Sequence, residues 1–125
     1  MKLKVLPYFL SVCQIDKVCD SITDSKFYFL SKTDDELSLV CLTEDVPAEV
    51  KNREDGWRGF YIDGVLDFSL IGILSKISGI LADAKIGIFA VSTYNTDYIL
   101  VKEENFQHAL EVLSDAGYFI ENENS

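Results

Sequence analysis

Apolar residues in this chain recur at two spacings, and the second half shows them more plainly. Gly59-Phe60-Tyr61-Ile62-Asp63 predicts a short strand ended by Gly64. Over residues 69–84, Leu70, Ile73, Leu74, Ile77, Ile80, Leu81 and Ala84 fall three or four apart and share one helical stripe. Ser69 is a suitable N-cap for that helix. Ile86 to Ser92 is β-branched and aromatic, and Tyr98 to Val101 is its partner strand across a polar turn. Glu103 to Ala116 predicts a second helix, with Phe106, Ala109, Leu110 and Leu113 inward and two glutamates at its positive end. Gly117 suits the residue after a helix, and Tyr118-Phe119-Ile120 makes a last strand. The order β-α-β-β-α-β is ferredoxin-like, with both helices on one face of a four-stranded antiparallel sheet.

The first half reads as a reduced copy of that unit. Leu3 to Ile15 is mainly extended, and Phe27-Tyr28-Phe29-Leu30 and Leu37-Ser38-Leu39-Val40 flank a turn over Lys32 to Glu36. A shift of 61 positions lays Ser31 on Ser92, Asp34 on Asn95, Glu36 on Asp97 and Val40 on Val101. Asp16 to Thr23 and Ala48 to Arg53 leave room for only about two helical turns each. The expectation is an α+β protein of two tandem ferredoxin-like (βαββαβ) units, residues 1–57 with shrunken helices and residues 58–125 complete. Trp57 and Arg58 fall in the linker between them, with Trp57 covering the junction, and the acidic tail from Glu121 to Ser125 is frayed.

Composition narrows the class of function. With 125 residues, 48% of them hydrophobic, and 8 Phe and 6 Tyr, the chain can fill one domain or two small ones. A formal net charge of −10 opposes nucleic-acid phosphates and anionic membrane surfaces. Cys13, Cys19 and Cys41 form no C-x-x-C pair, and His108 is the single histidine, so no zinc ligand set is legible. Three reduced, mostly buried thiols in a cytosolic protein are expected. Lys2 and Lys4 precede the apolar run Val5 to Cys13, but Pro7 interrupts it, Val12 is too large for lipoprotein processing and no A-x-A site follows. No run is long enough to span a bilayer. Glu103 and Glu104 serve a helix dipole, His108 has no evident partner, and Asp34-Asp35-Glu36 lacks calcium-loop spacing. Neither catalysis nor a metal or cofactor is expected.

Recognition remains. The turn with Thr93, Asn95 and Asp97 lies beside a predicted helix start, whose outward amides at Leu70, Ile71 and Gly72 suit a free carboxylate. Gly72 leaves room for close approach, and Gly72, Ser75 and Gly79 form a stripe of small residues. Residues 67–101, from D-F-S-L-I-G-I-L through A-D-A-K-I-G-I-F-A-V-S-T-Y-N-T-D-Y-I-L-V, resemble the ACT domain. The likeness is closest to the branch of lysine-sensitive aspartokinases and CASTOR-type arginine sensors; it covers residues 59–120 well and the first half loosely. It implies amino-acid binding where two such units meet, and regulation of an attached or separate protein. It also implies that Thr93 and Asp97 meet a ligand's cationic end and that Tyr94 packs on its stem. The ligand set so implied is Asp67, Ser69, Leu70, Ile71, Gly72, Ile73, Thr93, Tyr94, Asn95 and Asp97. Asn, Thr and Asp are equally at home in a plain turn, and Asp63 or Asp67 can be a solvated carboxylate. Lys32 stands where the second unit has Thr93, and no counterpart of Gly72 is visible, so one pocket per chain is expected. Together with the resemblance, these residues imply a cytoplasmic, non-catalytic sensor of a small amino acid, lysine or arginine among the candidates, that works as a homodimer or on a separate partner. The alternative is a ligand-free interaction module.

Overall fold

A computed structural model describes residues 1–63 and 72–122. The chain divides into two compact units, one formed by Met1–Pro7 with Arg58–Ser125 and the other by Tyr8–Trp57. The first seven residues therefore depart from the expected 1–57 unit and build the C-terminal one. Pro7 explains the break: it has no amide hydrogen to continue a ladder and its φ is fixed.

The C-terminal unit contains β1 (Lys2–Val5), the latter part of β5 (Asn52–Ile62), α2 (Ile73–Asp83), β6 (Phe89–Ser92), β7 (Asp97–Lys102), α3 (Glu103–Asp115) and β8 (Phe119–Asn122). Its strands run in the order β6–β7–β5–β1–β8. Setting β1 aside leaves the expected ferredoxin-like order. β1 occupies the place where β8 would otherwise meet β5. It runs antiparallel to β5, Leu3 opposite Ile62 and Val5 opposite Phe60, and parallel to β8, Leu3 opposite Ile120. The sheet is thus mixed and five-stranded, where a four-stranded antiparallel one was predicted.

Alternation decides which face each strand buries. Leu3, Val5, Phe60, Ile62, Ile99 and Val101 join Ile77 and Leu81 of α2 and Phe106, Ala109 and Leu113 of α3 in one core. Each such burial contributes about 1.5–3 kcal/mol relative to exposure, before the entropy of ordering is subtracted. The predicted inward stripes of both helices are the ones buried. Boundaries differ: α2 begins at Ile73, not Ser69, and the predicted N-cap Ser69 lies outside the described residues. Trp57 and Arg58 lie within β5 and not in a linker. The stretch Asn52 to Arg58 has no apolar alternation, so only its ladder with β2 makes it a strand. Glu121 is not frayed either: it sits in β8 and pairs with Lys2 at 3.3 Å and Lys4 at 3.6 Å.

The N-terminal unit contains β2 (Leu10–Ile15), α1 (Asp20–Thr23), β3 (Tyr28–Lys32), β4 (Leu37–Leu42), a 3-10 turn (Thr43–Asp45) and the first part of β5. Its strand order, β3–β4–β2–β5, is ferredoxin-like, and each neighbouring pair is antiparallel. One α-helical turn and one 3-10 turn replace the two helices. The helix predicted over Ala48 to Arg53 is absent, because Asn52 already opens β5. A register shift between Leu10 and Val12 marks a bulge opposite Gly56, whose φ of 85° only glycine adopts without strain. Ser11, fully buried, is satisfied by the Thr43 hydroxyl at 2.9 Å and by donating to the Asp55 carboxylate at 2.5 Å.

Cys13 and Cys41 are buried in this unit's core and Cys19 packs at its margin. Burial pushes the Cys41 thiol up to about 12, whereas the Ser21 hydroxyl, 3.0 Å from Cys19, lowers that thiol. Alkylation of the native protein followed by mass spectrometry should therefore modify Cys19 first and leave Cys41 last, since the thiolate is the nucleophile; the reverse order would contradict this packing. In the other unit, Leu3→Ala should lower the unfolding free energy measured in urea by about 2–5 kcal/mol, as for other buried leucines. A cost near zero would mean that β1 does not hold that sheet together.

Candidate functional site

The carboxyl end of β5 organises the site. There the Thr96 hydroxyl donates to the Ile62 carbonyl at 2.7 Å, hanging the β6–β7 turn on the last residue of β5. On the other side, the Asp63 amide donates to the Lys2 carbonyl at 3.0 Å. The Asp63 carboxylate lies 3.9 Å from the Lys4 ammonium, so its nearest cation is internal.

Thr93 builds the turn. Its amide donates to the Thr96 carbonyl at 2.8 Å, and its hydroxyl donates to the same oxygen at 3.0 Å while accepting from the Thr96 amide at 3.3 Å. The hydroxyl hydrogen is spent on the backbone, so Thr93 shapes the turn more than it addresses solvent. Asp97 stands opposite Ser92 and accepts its hydroxyl hydrogen at 2.5 Å. It shares a strand face with Ile99 and Val101, the face that carries the helices. Asn95 is exposed, and Tyr94, 82% exposed, projects its ring from the tip.

The helix half differs from expectation. Asp67, Ser69, Leu70 and Ile71 lie outside the described residues. Gly72 precedes α2 with φ 83°, and a Cβ there would meet nothing within 4 Å. Its left-handed backbone angle is one that glycine adopts without strain. The first helical bond runs from the Lys76 amide to the Gly72 carbonyl at 2.8 Å, which makes Ile73, Leu74 and Ser75 the first-turn amides in place of Leu70, Ile71 and Gly72. No acidic side chain occupies that turn. Gly72 and Ile73 line an open cavity of about 320 Å³ with Met1, Lys76, Ala116, Gly117 and Tyr118. Among the described residues, Thr93, Tyr94, Asn95 and Asp97 are not part of its wall. No described cluster of His, Cys, Asp and Glu is placed to hold a metal ion.

The same turn occurs in the N-terminal unit, one position away from where the sequence overlay placed it. The Thr33 amide donates to the Glu36 carbonyl at 2.9 Å, and the Thr33 hydroxyl accepts from the Glu36 amide at 3.2 Å. Thr33, and not Lys32, is therefore the counterpart of Thr93, and Glu36 is the counterpart of Thr96. The offset is 60 in place of 61, because matching side-chain types do not fix the ladder.

An ACT domain model matches residues 52–115. The chain belongs to the ACT domain family. A second model, for an N-terminal domain, matches residues 10–49. Cytosolic arginine sensors for mTORC1 (subunit 1) from Homo sapiens and Bos taurus are 41% identical over 58 residues, 46% of this chain. The aligned part spans only 18% of those relatives' length. Among solved structures, a protein from Agobacterium tumefaciens superposes with TM-score 0.89 at 30% identity, covering 99% of this ACT protein and 94% of that chain. The regulatory subunit of aspartate kinase from Thermus thermophilus has TM-score 0.63 at 11% identity, covering 94% and 98%, and shares the fold. No helix among the described residues is long and apolar enough to cross a membrane.

Gly72→Ala should cost about 1–2 kcal/mol in urea unfolding despite the open space around it, because a left-handed φ penalises any Cβ. An unchanged midpoint would show that the chain before α2 readjusts freely.

Proposed function

We propose that this ACT protein binds a free amino acid and signals its presence, without catalysis of its own, in the cytoplasm. The observation that carries this reading is the Thr93–Thr96 turn, closed on itself and hung on β5, which presents the Asp97 carboxylate beside an exposed Tyr94. A cationic side chain, as in lysine or arginine, suits that carboxylate, with Tyr94 against its aliphatic stem and Asn95 at the rim. The amino acid's own carboxylate suits the first-turn amides after Gly72, where the helix dipole adds partial positive charge. Asp67, Ser69, Leu70, Ile71 and Ile73 complete the proposed set. Likeness to the arginine sensors supports a basic ligand over an apolar one. The signal passes to a second copy or to a separate regulated protein, as a homodimer contact or a docking event that ligand favours.

A second reading is a ligand-free docking module. It is favoured by the same ring, since an 82% exposed tyrosine at a hairpin tip is an anchor for a protein partner.

Titration calorimetry with each of the twenty amino acids up to millimolar concentration separates the two. L-arginine or L-lysine should bind and raise the thermal midpoint, by mass action worth about 2.7 kcal/mol at a hundred times Kd. Asp97→Ala should weaken that binding at least tenfold, the order expected for one buried charge-assisted hydrogen bond. Absence of heat with every amino acid would end the sensor reading and leave the docking one.

A further inference from the structure

The two units repeat one turn but anchor it differently. In both, a threonine closes the loop on the residue three positions later. In the N-terminal unit that residue is Glu36, whose side chain is exposed. In the C-terminal unit it is Thr96, 7% exposed, and its hydroxyl reaches out of the turn to the Ile62 carbonyl at 2.7 Å. Ile62 is the last residue of β5 and is itself fully buried, so the acceptor is rigidly held. Among the described residues, this is the one of the two turns whose fourth residue is fastened to the strand beside it.

We infer that Thr96 is the positioning residue of the candidate site: by holding the turn against the end of β5 it fixes where the Asp97 carboxylate stands. The inference rests on the amino-acid-binding reading and goes beyond it, since Thr96 touches no ligand there. A turn closed only by its own threonine can tilt as a body about its two strands. One bond from outside removes that freedom, and a site loses affinity when its supporting contacts are loose. Asp97, next in the chain, is held to Ser92 by its own hydrogen bond at 2.5 Å, so turn and carboxylate move together. The acidic turn Asp34-Asp35-Glu36 has no such external bond among the described residues, which distinguishes the units on geometry and not on charge.

The test uses the full chain with L-arginine and L-lysine as probes, and three variants: Thr96→Val, Thr96→Ser and Glu36→Ala. Amide hydrogen exchange is read over residues 93–97 in ligand-free protein, and Kd is read by calorimetry. Thr96→Val keeps the shape but leaves the Ile62 carbonyl without its donor. It should speed exchange in the turn and weaken Kd about tenfold, the order of one lost buried hydrogen bond. Thr96→Ser should restore both, and Glu36→Ala should change neither. A general loss of folding would instead speed exchange across β7 and α3, and Thr96→Ser then carries the comparison through its parent-like Kd. If the parent binds a probe and Thr96→Val binds it equally well, the positioning role is overturned while the sensor reading stands. If the parent binds neither probe, the positioning role falls together with the choice of a basic ligand.

Discussion

In the C-terminal unit, β5 must find hydrogen-bond partners along both edges, and the N-terminal strand supplies one of them. Leu3 to Val5 pair with Phe60 to Ile62 on one side and with Ile120 to Asn122 on the other. An unpaired strand edge in that position would leave buried amides and carbonyls without partners, which costs more than the bonds themselves return. The four residues of β1, Lys2–Val5, also deliver Leu3 and Val5 to the core and Lys2 and Lys4 to Glu121. This unit is therefore discontinuous in sequence.

From that seating the site geometry follows. With β1 on one side of β5 and β7 on the other, the last residues of β5 meet a backbone bond from Lys2 and a side-chain bond from Thr96. The turn with Tyr94 and Asp97 lies at the same end of the sheet as Met1 and the start of α2, with β5 between. The described cavity contains only the helix half, and the turn half stands free of it.

The paired turns keep one backbone arrangement and differ in how their fourth residue is held. Thr33 and Thr93 make the same bonds, so the hairpin geometry is kept. What differs is the fourth residue, a solvated glutamate in one and a buried threonine in the other. The shrunken helices of the N-terminal unit point the same way: a single α-helical turn and a 3-10 turn cover its core, with Cys13 and Cys41 filling space that larger helices would otherwise line.

Much of the fold was legible in the sequence because it rests on local periodicity. The stripe Ile73, Ile77, Leu81 could only be a helix against a core, and the runs around Thr93 could only be a hairpin. Leu3 and Val5 were read as extended for the same reason. The family resemblance came from the same stretch, since turn and helix start lie in one continuous run. Pairing was not legible, because a strand's pattern states which face it buries and not which neighbour it takes. Hence the placement of β1 in the C-terminal unit, the strand character of Asn52 to Arg58, the offset of 60 between the turns, the helix start at Ile73 and the bond from Thr96 to Ile62 were fixed only in three dimensions. The strand placements and the bond from Thr96 to Ile62 depend on hydrogen bonds between residues far apart in the chain, for which no local pattern exists, whereas the helix start and the turn offset rest on short-range bonds, Lys76 to Gly72 and Thr33 to Glu36, that side-chain type alone does not place.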